Sequence, residues 1–184
     1  SAGLGAGKTH SLCMKILSLC AENEGLPGGI LAPSLKMLKR DVVPLMRSIC
    51  AENKIQLHWN TQDSLFYIPE TESTIYCFHS EDDGNSIRGP NLAFGAINEV
   101  TMCSKGAFDA FLARVRLKKA KLLQLIMSGT PEGFNWTYEY FIQNPRSDTD
   151  LIFGKSRENT HVADSYIKTL EESYDTQMQK QYID

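Results

Sequence analysis

The sequence predicts an α/β domain with a mainly parallel central sheet flanked by helices, and three observations carry that expectation. The chain opens on a glycine-rich loop, Ser1-Ala-Gly-Leu-Gly-Ala-Gly-Lys-Thr9, with an amphipathic stretch directly behind it. Short apolar runs of strand length then alternate with segments whose apolar residues recur at helical spacing. One such run, from Asn91 to Ile97, ends in the polar pair Asn98-Glu99.

Bulk composition sets the frame. A length of 184 residues allows one domain whose core is large enough to fold without cross-links. With 42% apolar and 22% charged residues, the chain reads as an ordinary globule without long disorder. No apolar run approaches the ~18 residues of a membrane helix, and nothing at Ser1 resembles a signal peptide. The expectation is therefore a soluble intracellular domain with no membrane partner. The net charge of -3 means that any nucleic-acid contact must come from grouped basic residues. Five cysteines (Cys13, Cys20, Cys50, Cys77, Cys103) are odd in number and widely spaced, which predicts reduced, mostly buried thiols. The four histidines (His10, His58, His79, His161) have no metal-binding spacing.

Residues 2–9 fit the phosphate-binding pattern G-x-x-x-x-G-K-[ST], with Ala2 in place of the first glycine. The candidate nucleotide-binding residues Gly3, Leu4, Gly5, Ala6 and Gly7 are small except for Leu4, as needed where successive backbone N–H groups must turn inward around phosphate oxygens. Lys8 would reach the β/γ-phosphates and the Thr9 hydroxyl would ligate Mg²⁺, at the positive end of the helix that follows. That helix is read from Leu12, Ile16, Leu17, Leu19 and Cys20, with a stop at Asn23-Glu24-Gly25. The strand that should precede the loop is missing, as in a piece of a longer protein.

The elements after it follow in order. Gly29 to Ala32 reads as a strand, and Pro33-Ser34 starts a helix with Leu38, Val42, Leu45 and Ile49 on its apolar face. Lys36, Lys39, Arg40 and Arg47 lie mostly off that face, and Pro44 should kink the helix or restart it after Asp41. Ile55 to Trp59 alternate as in a strand. A hairpin is predicted from Ser64–Ile68 and Thr74–Phe78, joined through Pro69–Ser73, and His79 to Gly89 reads as a loop. Ser104 is a candidate cap for a helix with Phe108, Phe111, Leu112 and Val115 in its stripe. Leu122 to Met127 reads as a buried strand that ends in Ser128-Gly129-Thr130.

Asn98-Glu99 stands where a nucleoside triphosphatase carries its acidic pair, usually an Asp for the Mg²⁺ shell and a Glu that polarises the attacking water. Glu99 is the candidate general base; the alternative is a core strand followed by a chance Glu. Asn98 has an amide oxygen but no charge, so metal affinity would fall. Arg88 is a candidate arginine finger, or else a surface residue pairing with Glu81, Asp82 or Asp83. The densest positive cluster is Arg114, Arg116, Lys118, Lys119 and Lys121, readable as a solvated face or as contact with DNA or a neighbouring subunit.

In this order the phosphate loop, Ala32-Pro33-Ser34, Ser86-Ile-Arg88-Gly89, the strand ending in Asn98-Glu99, the helix ending Arg114-Val-Arg116, and Ser128-Gly129-Thr130 resemble the ATPase domain of the large terminase subunit of tailed bacteriophages. Phe134-Asn-Trp-Thr-Tyr138, Glu158-Asn159-Thr160, Tyr166–Leu170 and Tyr174 look like its closing helical region. The resemblance implies a RecA-like ASCE P-loop NTPase core over residues 1–150, with a β-hairpin insertion. It implies a small lid-like C-terminal strand and helical region over 151–184, leading to a nuclease domain that these residues do not contain. The implied activity is ATP hydrolysis with Mg²⁺, driving double-stranded DNA into a procapsid. The implied partners are a portal protein, a small terminase subunit and further copies in a ring, in the host cytoplasm and transiently at the portal. Ser128, Gly129 and Thr130 would be the coupling motif.

Two departures stand out. Leu4 occupies a loop position that is basic in many terminases, which gives Arg88 more weight, and Asn98 replaces Asp. Two rival readings remain: a helicase-like DNA-dependent ATPase, and a nucleotide-binding domain with weak catalysis because of Asn98.

Overall fold

The computed structural model describes residues 7–154, 159, 168–169 and 172–173. The chain divides into two compact units, one formed by Thr9–Met127 and one by Ser1–Lys8 with Ser128–Asp184.

In the larger unit, helix α1 (Lys8–Glu22) buries Leu12, Cys13, Ile16, Leu19 and Cys20, the stripe expected of a helix with one face on a sheet. It stops where Asn23 N–H bonds back to Leu19 and Cys20 and Gly25 turns left-handed at φ +69°. Strand β1 (Gly28–Ala32) is buried at every position. Ser34 then caps α2 (Leu35–Met37) by accepting from Met37 N–H at 3.1 Å.

The kink foreseen at Pro44 takes the form of a π-turn over Leu38–Val42, in which Val43 N–H reaches Leu38 C=O. Proline has no N–H to offer and its ring collides with the carbonyl one turn back; one extra residue in the turn before it removes the conflict. α3 (Val43–Glu52) follows with Pro44 in its first turn. The insertion also rotates the buried face. Val43, Met46, Ile49 and Cys50 point inward, and Leu45, expected on the apolar stripe, is only half-buried.

The remaining strands are β2 (His58–Asn60), β3 (Leu65–Ile68), β4 (Ser73–His79), β5 (Phe94–Ile97) and β6 (Gln124–Met127). Their order in the sheet is β2-β3-β4-β1-β5-β6. β4, β1, β5 and β6 run parallel, and the hairpin adds β3 and β2 antiparallel at one side. This is the mainly parallel sheet with a hairpin that the sequence predicts. β2 is later and shorter than the predicted 55–59 segment: Ile55 N–H bonds to Cys50 C=O at the end of α3, and Gln56 N–H to Glu70.

Two layers cover the sheet. On one face, α1 and α3 pack over Ile30, Ala32, Phe66, Ile68, Ile75 and Phe94 in one core cluster. On the other lies α4 (Lys105–Leu112), capped by Ser104, whose hydroxyl accepts from Ala107 N–H at 3.1 Å. Phe111 of α4 sits over Gly29 and Gly95. A Cβ on Gly95 would come within 2.8 Å of its ring and 2.9 Å of Leu125 and Val115. Phe78 meets Phe111 edge-on, with centroids 5.7 Å apart.

Two expectations are corrected here. α4 ends at Leu112, which is exposed, and Val115 leaves the helix to form a parallel bridge with Leu92. β6 is shorter than residues 122–127 and half-buried, with Leu122 and Leu123 exposed before it. Leu122, with Lys121 before it, is held by Asn23, which is 2% exposed. Its Oδ1 accepts from Lys121 N–H (2.9 Å) and Leu122 N–H (3.1 Å), while its Nδ2 donates to Leu122 C=O (3.0 Å) and Leu19 C=O (3.1 Å).

In the smaller unit, Asn135 caps α5 (Trp136–Tyr138) by accepting from Thr137 and Tyr138 N–H, and a second π-turn spans Glu139–Gln143. Lys168, Thr169, Glu172 and Ser173 are helical. Tyr166, Leu170 and Tyr174, singled out in the sequence, lie outside the described residues.

Candidate active site

Parallel strands bring their carboxyl ends to one edge of the sheet, where α/β proteins bind ligands. Along that edge β1 leads into Pro33-Ser34, β4 into Ser80 and β5 into Asn98-Glu99. Ser80 is buried; its N–H donates to Ala32 C=O at 3.1 Å and its hydroxyl to Pro33 C=O at 3.3 Å. The sequence placed Ser80 in a featureless loop, and no local pattern marks it.

Asn98 is 1% exposed, and its N–H is fixed by Leu31 C=O at 2.9 Å. Its Oδ1 accepts the Thr9 hydroxyl at 3.3 Å, across 89 residues of sequence. The phosphate-loop threonine and the strand-end amide, both singled out in the sequence, are thus brought together. Their oxygens are the hard donors that Mg²⁺ takes when waters and phosphate oxygens complete its shell, so the pair fits that ion. Neither is charged, and among the described residues no three His, Cys, Asp or Glu side chains form a metal cluster.

Glu99 follows in the left-handed region, φ 54° and ψ 57°, and starts a 3-10 turn over Val100–Met102. A non-glycine residue held there costs about 1–2 kcal/mol, a strain that persists when surrounding structure enforces it. The half-buried Glu99 is anchored on both sides: Asn98 is bonded to β1, and Met102 N–H and the Cys103 thiol both reach Glu99 C=O.

Gly3, Leu4, Gly5 and Ala6 lie outside the described residues. Gly7 adopts φ +76°, a conformation that favours glycine, and Lys8 opens α1 directly after it. Ile97 pairs with Met127, so the strands leading to Asn98 and to Ser128 end level with each other. Ser128, Gly129 and Thr130 are buried.

Arg88 is exposed and donates from Nε to Asn85 C=O at 3.2 Å. Among the described residues it pairs with no carboxylate. Asp82 is instead engaged by Ser86 N–H (2.8 Å) and Gly84 N–H (3.2 Å); against desolvation, which raises it, the Ser86 side chain first and then these N–H groups and nearby His79 hold its carboxyl below the ordinary range. The basic cluster divides. Arg116 Nε donates to Asn91 Oδ1 at 2.9 Å, Arg114 reaches Gly89 C=O at 3.4 Å, and Lys121 pairs with Glu22 at 3.1 Å. Lys118 and Lys119 are exposed in the turn between them. Asn91, 25 residues from Arg116, carried no signal in the sequence.

Residues 1–183 match the family model described as "Terminase large subunit, T4likevirus-type, N-terminal". The chain belongs to this terminase family. No curated protein matches it. Among solved structures, it resembles the large terminase of a thermophilic bacteriophage at TM-score 0.87 and 15% identity, covering 99% of this chain and 46% of that one. The same terminase in complex with ADP gives TM-score 0.87 and 16% identity over 99% and 46%. The large terminase ATPase domain of Thermus phage P74-26 gives TM-score 0.70 and 16% identity, over 98% of this chain and 84% of that domain. These likenesses establish the RecA-like fold of terminase ATPase domains. The terminase domain described here spans about half the length of the first two.

Proposed function

We propose that this terminase domain hydrolyses ATP to drive double-stranded DNA into a procapsid. It would act in the host cytoplasm at the portal, as one copy in a ring, with a portal protein and a small terminase subunit as partners. The observation that carries the reading is the Thr9–Asn98 hydrogen bond, which joins the phosphate-loop helix to the strand end that presents Glu99. Family membership and the ADP complex of a terminase of the same fold support it.

Each residue then has a chemical task. Backbone N–H groups of Gly3–Gly7 and the Lys8 ammonium hold the triphosphate. Thr9 and Asn98 would hold Mg²⁺, which when bound neutralises charge on the β- and γ-phosphates. Glu99 takes the proton of the attacking water, and Arg88, from its own or a neighbouring copy, stabilises charge on the transferred phosphoryl group. Ser128, Gly129 and Thr130 report the change to the following loop.

The test is phosphate release by the wild type and by Lys8→Ala, with and without duplex DNA. Hydrolysis that is stimulated by DNA and lost with Lys8 is expected. ATP binding without turnover, in a protein assembled into its ring, would favour the weakly catalytic reading that rests on Asn98.

A further inference from the structure

Arg88 lies on a short bridge between two fixed points. On one side Ile87 is buried, at 2% exposure, and the Asp82 turn pins Ser86. On the other side Leu92 is fully buried and locked to the segment after α4. Its N–H bonds to Arg114 C=O at 2.7 Å, and its C=O accepts from Arg116 N–H (3.2 Å) and Leu117 N–H (3.1 Å). Between these points Gly89, at φ +129°, gives the bridge its freedom to swivel. Two side chains restrain it. Arg116 Nε holds the Asn91 amide oxygen at 2.9 Å, and Arg114 Nη1 holds Gly89 C=O at 3.4 Å.

We propose that Arg116, with Arg114 as the weaker partner, is a positioning residue that clasps the 88–91 bridge and so sets where Arg88 is presented, rather than a phosphate contact for DNA. The proposal rests on the reading of Arg88 as a finger. A charged donor to a neutral amide is a strong hydrogen bond, and a bridge fixed at both ends needs one such restraint to hold a single conformation. Arg114 is the weaker partner because its bond is long and, among the described residues, its buried Nε has no acceptor.

The two roles separate through Asn91, which carries no charge. Asn91→Ala, Arg116→Gln and the double variant are compared by amide hydrogen exchange at Arg88, Gly89, Asn91 and Leu92, by ATP turnover in the assembled ring, and by duplex DNA affinity. The expected result is faster exchange and about tenfold lower kcat at unchanged KM in each single variant. The double variant should be no worse than either single, and Asn91→Ala should bind DNA as the wild type does. Additive losses, or Asn91→Ala with wild-type exchange and turnover, would overturn the clasp. So would an Arg116→Gln whose only defect is weaker DNA binding with a shallower salt dependence. If the wild-type ring hydrolyses no ATP, the motor reading fails, and the exchange measurement alone decides whether the clasp exists.

Discussion

The Thr9 hydroxyl and the Asn98 amide oxygen, 3.3 Å apart, tie the first turn of α1 to the end of β5. The contact is long for an O–H···O bond and involves no charge, so a metal ion can compete for either oxygen and a phosphate for the Thr9 hydroxyl.

Asn98→Asp places a carboxylate where the amide stands. Half-saturating Mg²⁺ for turnover should fall about tenfold, because one charged oxygen is added where Thr9 and Asn98 offer only neutral ones. Without metal the buried carboxylate should cost about 1–3 kcal/mol of stability, read by urea unfolding with and without Mg²⁺. An unchanged Mg²⁺ requirement would show that the amide suffices.

Glu99 should separate activity from stability. Glu99→Gln should lower kcat by about 10²–10⁴ while nucleotide affinity stays within a few fold. Glu99→Gly should be equally inactive yet more stable by about 1 kcal/mol, since glycine occupies φ 54° without strain. Thermal melting of the two variants side by side gives the comparison.

Asn23→Ala should destabilise the domain by about 1–3 kcal/mol, because it strips partners from the Lys121 and Leu122 N–H groups and the Leu122 carbonyl. The loss should appear first as exchange at those two amides, ahead of global unfolding.

Gly95→Ala should cost about 1–3 kcal/mol by pushing a methyl into Phe111, Leu125 and Val115. Combining it with Phe111→Leu should recover part of the loss, whereas Phe111→Leu alone should be destabilising.

Burial raises the thiols of Cys13 and Cys20 to about 12 and that of Cys103 to about 11. In the unfolded chain these thiols ionise near pH 9. Between those limits the folded protein keeps protons that the unfolded chain has released, so this contribution to stability is complete below pH 9 and is lost as pH rises towards 12. Unfolding midpoints measured from pH 8 upward should fall across that window. Thiol reagents at pH 8 should leave Cys13 and Cys20 unmodified in the native state.

Much of this was legible in the sequence where local chemistry decides the outcome. The Ser34 and Ser104 caps, the hairpin and the sheet class all follow from residue type and spacing. What was not legible depends on contacts distant in sequence. α4 reads as continuing to Val115 because the apolar spacing continues, but Leu92, far back in the chain, draws Val115 into a bridge. Leu122 and Leu123 read as strand because they are apolar; Asn23 takes the hydrogen bonds of Leu122 that a neighbouring strand would otherwise take. At the site, Thr9, Asn98 and Glu99 were found from motif order. Ser80 and Asn91 were not, since a single serine in a polar loop, or a single asparagine at the head of an apolar run, has no periodicity to reveal its partner.

The π-turn at Leu38–Val42 holds one residue more than a regular helical turn, and that residue is slack in the register of α3. Deleting Lys39, Arg40 or Asp41 would close the turn to a regular helix and leave Met46 and Cys50 facing the core, since each downstream residue already sits one place later than regular spacing would put it. The cost would fall on Pro44, whose ring would then meet the carbonyl one turn back. The length of this turn is therefore dictated by the proline and not by the contacts of α3.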